Sequence, residues 1–368
     1  MVLFVISIII IAIGAGCTQE RSITIGVVGS MTGNQSDLSV SGRRGIEIAV
    51  DRINASGGID GKKVKLVVKD DKNDPDRAKE IVDEFVSQQI HLVIGHYTSG
   101  MMLAAYGEMV SQDILYLGPT ISTDNLSGVD DNFIRFIAST KEQAMVISNE
   151  AKRLNQKNFL VIADKKNLGF HELLCQNFEA ILQENGGQVL DIFEYEALDD
   201  ATLEDMIKLI ESQRSTDGIF VISNASDLAV IVQATRKQGI DVDIYGPLWA
   251  HTNDLIRVAG EYSEGVRVVS GIDIENVSEP YLEFQKEFYE KYGQEVTFSS
   301  IYSYETMMAL AQAIDKAGND DANQVKEAII EIGQFEGLQA NFIIDQYGDN
   351  TRKYMLDQVI GNAYKRID

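Results

Sequence analysis

Cysteine and basic residues are scarce in this chain of 368 residues, and each shortage excludes a class of protein. Only Cys17 and Cys175 occur, so a small scaffold held by several disulfides is ruled out. Lys and Arg number 32 against 56 Asp and Glu, which gives a formal net charge of −24. Because this charge repels polyanions, we expect neither nucleic acid nor an anionic membrane surface as a partner. Apolar residues make up 45%, which is typical of a folded globular chain.

The patterns that carry catalysis or hold cofactors are also missing. The four histidines do not pair at the spacing of zinc ligands. There is no Gly-x-Ser-x-Gly turn and no Gly-rich phosphate loop ending in Lys-Ser or Lys-Thr. Thr32 replaces the third glycine of a dinucleotide-binding turn, and the acidic clusters around Asp70 and Asp199 lack the spacing of a calcium loop. We therefore expect no enzyme activity, no cofactor and no metal, and interpret the acidic clusters as solvated loops and helix caps.

The first residues indicate export from the cytoplasm. Val2 to Gly16 are apolar or small except for Ser7, and this run of 15 residues is short for a membrane span, which needs roughly 20. It ends at Gly16-Cys17 and is typical of a secretory leader with a small-residue cleavage site. The cysteine resembles that of a lipobox, so residues 1–17 are predicted to be a leader with Cys17 as the lipidation site. The alternative is an uncleaved anchor helix, which also places the remaining chain at a membrane and outside the cytoplasm.

After the leader, strands alternate with helices. Strands are predicted at 23–28, 64–68, 92–94 and 114–117. Asp74 is predicted to cap a helix whose first residue is Pro75. Apolar residues then recur at helical spacing at Ala78, Ile81, Val82 and Phe85. This alternation predicts an α/β fold in which a parallel sheet carries helices on both faces. Ligands of such sheets bind beyond the carboxyl ends of the strands.

The pattern restarts after residue 137, with no Pro-rich or Gly/Ser-rich linker between the halves. Further strands are predicted at 159–163, 189–193, 218–222 and 243–245. A strand at 266–272 is expected to return the chain to the first unit, and the last strand, at 354–360, fits either unit. We predict two doubly wound parallel-sheet lobes joined by a three-strand hinge. The first comprises residues 22–138 with 271–346, and the second comprises residues 139–270 with 347–368.

Hydroxyl side chains follow two neighbouring strands of the first predicted sheet. Ser99 lies where a helix opens, so unpaired N–H groups and a partial positive charge are expected beside its hydroxyl. Ser122 lies in the turn after the next strand, in Gly118-Pro-Thr-Ile-Ser-Thr123. Together these two strand ends are able to bind one carboxylate. The alternative is that both serines only cap a helix or a turn.

At these residues the chain resembles the leucine/isoleucine/valine-binding protein family, the type I periplasmic binding proteins that serve ABC transporters. The resemblance is scattered over residues 22 to about 360 and is densest before residue 125. Its pieces are Ile25-Gly-Val-Val-Gly-Ser-Met-Thr-Gly33, Gly45-Ile-Glu, Ile53-Asn-Ala-Ser-Gly-Gly-Ile-Asp-Gly61, Asp70-Asp-Lys-Asn-Asp-Pro75, Val93-Ile-Gly-His96 and Tyr245-Gly-Pro247. The resemblance implies two lobes that close over a ligand whose carboxylate is held by the first lobe.

The resemblance also implies roles for individual residues. Ser99 and Ser122 fall at carboxylate-binding positions, and Thr120 falls where a backbone carbonyl takes the ligand's ammonium group. An acid that pairs with this ammonium is expected just after Gly246-Pro247, where this chain has Leu248 and Trp249. Tyrosines expected in the pocket are likewise replaced by apolar residues. The remaining candidate ligand-binding residues are Tyr97, Gly100, Leu168 and Ala225.

The expected function is that of an extracytoplasmic lipoprotein that binds a hydrophobic amino acid, such as a branched-chain one, or a related small carboxylate. An ABC permease is the expected protein partner. One alternative is a ligand-sensing subunit that acts through a separate signalling receptor. Another is a binder of an aromatic or aliphatic acid without an amino group, because Leu248 stands where an acid is expected.

Overall fold

The computed structural model describes residues 22–33, 36–167 and 169–368. Cys17 and Leu168 lie outside the described residues, so what the sequence indicates for them stays a prediction. Among the described helices, none is long and apolar enough to cross a membrane. The fold is α/β with two main sheets, as the alternation of strands and helices predicts.

The first sheet has five parallel strands in the order β2-β1-β3-β4-β5. They are β1 (Ser22–Gly29), β2 (Lys63–Asp70), β3 (Leu92–Ile94), β4 (Leu115–Gly118) and β5 (Phe133–Arg135). The helices between them are α1 (Asp37–Ala55), α2 (Pro75–Ser87) and α3 (Ser99–Ser111). β3, β4 and β5 are buried along their whole length, as expected for parallel strands with helices on both faces.

The start of α2 follows from two adjacent residues. Asp74 Oδ1 accepts hydrogen bonds from the backbone N–H groups of Asp76 and Arg77, with N···O distances of 2.9 and 3.3 Å. Pro75 occupies the first turn of the helix, where a backbone N–H has no partner within the helix, so proline costs no hydrogen bond there. The predicted cap and the predicted apolar face are both confirmed, since the buried residues are Ala78, Ile81, Val82 and Phe85.

The second sheet has seven strands in the order β14-β13-β10-β9-β8-β6-β7. They are β6 (Asn158–Asp164), β7 (Gln188–Tyr195), β8 (Gly218–Ile222), β9 (Asp243–Gly246), β10 (Arg267–Ser270), β13 (Met355–Val359) and β14 (Tyr364–Arg366). Strands β6 to β10 pair in parallel, whereas β13 pairs antiparallel with both β10 and β14. β14 pairs antiparallel with β13 because the turn between them is too short for a parallel crossover.

Five helices belong to the segments around this second sheet. They are α4 (Thr140–Arg153), α5 (His171–Glu184), α6 (Asp200–Ser212), α7 (Ala225–Lys237) and α8 (Asn253–Ala259). Asp199 caps α6 by accepting a hydrogen bond from the backbone N–H of Thr202 at 2.8 Å. The interpretation of this acidic cluster as a helix cap is therefore confirmed.

The chain crosses between the two sheets three times: after β5, after β10 and before β13. Between the last two crossings lie α9 (Glu279–Tyr292), α10 (Phe298–Ala317), α11 (Ala322–Ile332) and the strand pair β11 (Gln334–Phe335) and β12 (Phe342–Ile343). Helix α10 packs along α1. We call the first sheet with α1–α3 and α9–α11 the first lobe, and the second sheet with α4–α8 the second lobe. The predicted boundaries between the lobes stay a prediction.

Candidate functional site

The loops after the carboxyl ends of strands in both sheets line one cavity with about 300 Å³ of empty space. Its first-lobe wall consists of Leu38, Tyr97, Ser99, Thr120, Ser122 and Phe298. Its second-lobe wall consists of Gln143, Asn167, Phe170, Leu248 and Trp249, and Ile137 lies at the first crossing. All twelve residues are buried, so the two lobes are closed over the cavity.

Two free hydroxyl groups stand on the first-lobe wall. Ser99 is the first residue of α3 and Ser122 follows β4, and their loops are neighbours because β3 and β4 pair in parallel. Neither side chain makes a hydrogen bond to another residue that the structure describes, so neither acts as a cap there. The hydroxyls and the N–H groups that open α3 supply donors and a partial positive charge. This combination suits a carboxylate without any basic side chain.

Tyr97 and Thr120 hold the two loops of this wall together. The Thr120 hydroxyl donates a hydrogen bond to the carbonyl oxygen of Tyr97 at 2.6 Å. The Tyr97 hydroxyl lies 3.2 Å from the hydroxyl of Ser303 on α10. Burial raises the pKa of Tyr97 well above its ordinary value, so its phenol stays neutral. Both residues therefore fix the spacing between the Ser99 and Ser122 loops.

A short 3₁₀ helix, Leu248–Ala250, carries the second-lobe wall. The backbone N–H of Leu248 donates to Gln143 Oε1 at 3.0 Å, which ties this helix to α4. The ring of Phe170 packs edge-on against Trp249, with ring centroids 6.1 Å apart. Asn167 reaches the first lobe, because its Oδ1 accepts a hydrogen bond from the backbone N–H of Gly100 at 3.2 Å.

Charged side chains are absent from the twelve residues that line the cavity. Asp37, at the start of α1, lines an adjoining cleft between the lobes. Asp37 is exposed to water in that cleft, and the protein around its carboxyl group raises the pKa to about 6. The Trp249 indole N–H approaches Asp37 without forming a hydrogen bond of normal geometry.

The structure places most of the predicted site residues on one cavity, but not all of them. Six of them line it: Tyr97, Ser99, Thr120, Ser122, Leu248 and Trp249. Gly100 is not in the lining. Its backbone N–H lies in the first turn of α3, has no partner within the helix, and donates a hydrogen bond to Asn167. Ala225 is also absent from the lining, because it starts α7 and packs into the second lobe's core.

Sequence reasoning missed the two amides of the second-lobe wall. Gln143 lies on α4, a helix that the sequence analysis did not assign, and Asn167 stands in the loop after β6. A single amide has no motif of its own. Of the two, only Asn167 could have been predicted as a site residue, because it follows the end of a strand of the second sheet, as Ser99 does in the first sheet.

Comparison with known sequences settles the family. A sequence family described as periplasmic binding protein matches residues 22–363. The chain belongs to the periplasmic binding protein family. Its members are solute-binding proteins rather than enzymes, and the resemblance to the leucine/isoleucine/valine-binding proteins is confirmed.

Among curated relatives, Leu/Ile/Val-binding protein homolog 1 of Brucella abortus is 24% identical, over 92% of this chain and 90% of its own length. The leucine-, isoleucine-, valine-, threonine- and alanine-binding protein of Pseudomonas aeruginosa is 23% identical, over 89% of this chain and 87% of its own.

Two solved structures show the same fold. A leucine-binding protein from Thermotoga maritima superposes with a TM-score of 0.85 at 22% identity, over 94% of this chain and 98% of that one. An ABC-transporter solute-binding protein from R. palustris, in complex with benzoate, has a TM-score of 0.83 at 16% identity, over 94% and 95%.

Proposed function

We propose that this periplasmic binding protein is the extracytoplasmic solute-binding component of an ABC transporter, attached to the membrane through Cys17. It binds a small carboxylate with an apolar body, either a hydrophobic amino acid or an acid of similar size. Closure of the lobes buries the ligand, and the permease recognises the closed form.

One observation carries the proposal: two unbonded hydroxyls, Ser99 at the start of α3 and Ser122 in the loop after β4, line the same buried cavity. The rest of the lining is mainly apolar or aromatic, which suits a hydrocarbon side chain of the ligand. The names of the relatives support this class, because leucine and benzoate are both small carboxylates with apolar bodies.

The test is calorimetric titration of the full chain with hydrophobic amino acids and with aromatic and aliphatic acids. Ser99→Ala is expected to weaken carboxylate binding by roughly 10- to 100-fold, because a hydrogen bond to a charged group contributes about 1.5–3 kcal/mol. The matched control is Ser111→Ala at the other end of α3, whose hydroxyl only donates to the Glu108 carbonyl at 2.7 Å. Unchanged carboxylate affinity in Ser99→Ala, or no binding by either class of acid, contradicts the proposal.

A second candidate ligand class is an acid that has no amino group. It is favoured by the lining itself, which offers no carboxylate to pair with an ammonium ion. An unpaired ion in a buried site costs several kcal/mol.

A further inference from the structure

The two amides of the second-lobe wall are both oriented as donors toward the cavity they line. Gln143 Oε1 accepts a hydrogen bond from the backbone N–H of Leu248 at 3.0 Å. A backbone N–H bonds only to the oxygen of an amide, so this contact fixes which end of the side chain is which. The Nε2 hydrogens are left without a partner among the described residues. Because Gln143 is buried in the lining, these hydrogens are available to a ligand.

Asn167 repeats this arrangement next to the carboxylate-binding hydroxyls. Its Oδ1 accepts from the N–H of Gly100 at 3.2 Å, which leaves the Nδ2 hydrogens unpaired within the described chain. Gly100 is the residue after Ser99, so the amide of Asn167 lies beside the place proposed for the ligand's carboxylate. The group nearest to a carboxylate in a small acid is the substituent on its carbon 2. Asn167 is therefore placed to donate to that substituent.

Trp249 lies on the same wall, but its indole N–H approaches Asp37 in the adjoining cleft and is not counted among the donors to the cavity. It is 4% exposed, and its Nε1 makes no hydrogen bond of normal geometry in the described structure. The acid near it, Asp37, lines the adjoining cleft and not the cavity.

The two amides select the chemistry of the ligand at carbon 2. An ammonium group on carbon 2 brings further N–H donors toward N–H donors, whereas a carbonyl oxygen accepts from them. We propose that this protein binds a 2-oxo acid with an aliphatic or aromatic side chain in preference to the corresponding 2-amino acid. The inference rests on the proposed function, because it assumes that the carboxylate lies at Ser99 and Ser122.

The experiment compares ligands that differ at carbon 2 alone. The full chain is titrated with 4-methyl-2-oxopentanoate, leucine and 4-methylpentanoate, and with phenylpyruvate, phenylalanine and 3-phenylpropanoate. In at least one of the two sets we expect the 2-oxo acid to bind at least about tenfold more tightly than the other two acids, the effect of one to two buried hydrogen bonds. Equal or tighter binding of the amino acid, or of the unsubstituted acid, overturns the inference and leaves the proposed function standing. If no acid of either set binds, the proposed function fails first.

Two charge substitutions that preserve shape test the donors themselves. Gln143→Glu and Asn167→Asp keep the oxygen that accepts from the backbone and replace the NH2 group by a carboxylate oxygen. Each is expected to shift the affinity ratio by at least about tenfold toward the amino acid, because the new charge pairs with its ammonium. The control is Gln324→Glu, an exposed site on α11, which adds the same charge and should leave the ratio unchanged. An unchanged affinity ratio in both variants contradicts the role of the amides. If the parent prefers the amino acid and Asp37→Asn abolishes that preference, the ammonium group pairs with Asp37 and the inference is overturned.

Discussion

At the scale of single residues, the loop that carries Ser99 is held by a buried hydrogen-bonded pair. His96 Nδ1 lies 2.7 Å from Asp71 Oδ2, and the Ser30 hydroxyl donates to Asp71 Oδ1 at 2.7 Å. Burial by itself raises the pKa of Asp71, but the interactions with His96, the Asn73 N–H and the Ser30 hydroxyl together outweigh it and hold the pKa below the ordinary value of 3.8. The carboxylate therefore stabilises the fold at pH values above about 4, and this contribution is lost as the pH falls further.

We predict that Asp71→Asn lowers the free energy of unfolding at pH 7 by about 1.5–3 kcal/mol, the value of a hydrogen bond to a charged group. The measurement is urea unfolding at pH 7 and at pH 3.5, where the difference between variant and parent should shrink. Asp76→Asn is the control, because Asp76 is exposed and pairs with Lys79 at the surface. A variant as stable as the parent at pH 7 would show that the pair is dispensable.

The hydroxyl residues of the first-lobe wall were predictable, whereas the two amides that face them were not. Ser99 and Ser122 stand out in the sequence because each follows a buried strand, and the parallel pairing of β3 and β4 then brings them together. Gln143 joins the site only through a contact with Leu248, a residue 105 positions away. Such a contact depends on how the second lobe folds, and no local pattern encodes it.

At the scale of elements, the close packing of α1 against α10 requires glycine where α1 meets the backbone of α10. A Cβ at Gly45 would lie 2.1 Å from the backbone carbonyl oxygen of Ser300, and a backbone atom has no rotamer by which to give way. We predict that Gly45→Ala forces the helices apart and destabilises the fold by about 1–3 kcal/mol, the usual cost of overpacking. The measurement is the midpoint of urea unfolding.

The matched control is Gly107→Ala, which makes the same change inside α3. A Cβ there meets no atom within 4 Å, so the substitution should stabilise the helix by about 0.5–1 kcal/mol. Opposite signs for the two alanines are the expected result. Equal effects would show that helix propensity, and not the contact with α10, governs both positions.

Helices with a one-sided apolar pattern were easier to predict than those without one. The cap and buried face of α2 follow directly from Asp74 and its spacing of apolar residues. Helix α4 was missed because its apolar residues are interrupted by polar ones that are buried all the same, among them Gln143 and Glu150. The sequence also left undecided which sheet the strand at 354–360 joins, because a short strand does not encode its partner.

At the scale of the whole molecule, we expect closure of the lobes to be coupled to protonation of Asp37. The protein around its carboxyl group is the main cause of its pKa of about 6, and the negative charge of Asp254 raises this pKa further. In an open form the carboxyl is hydrated, so its pKa should return toward the ordinary value of 3.8. Because the closed form then holds the proton more tightly, closure takes up a proton between about pH 4 and pH 6.

We therefore predict that ligand affinity falls as the pH rises toward 6 and is constant above it. The measurement is the Kd for a ligand whose carboxylate stays ionised throughout, titrated from pH 5.0 to 7.5. Asp37→Asn removes the titrating group and should flatten the profile, while Asp254→Asn should only move its upper limit to lower pH. A parent profile that is flat, or that rises with pH, would show that Asp37 is no less hydrated in the closed form than in the open one.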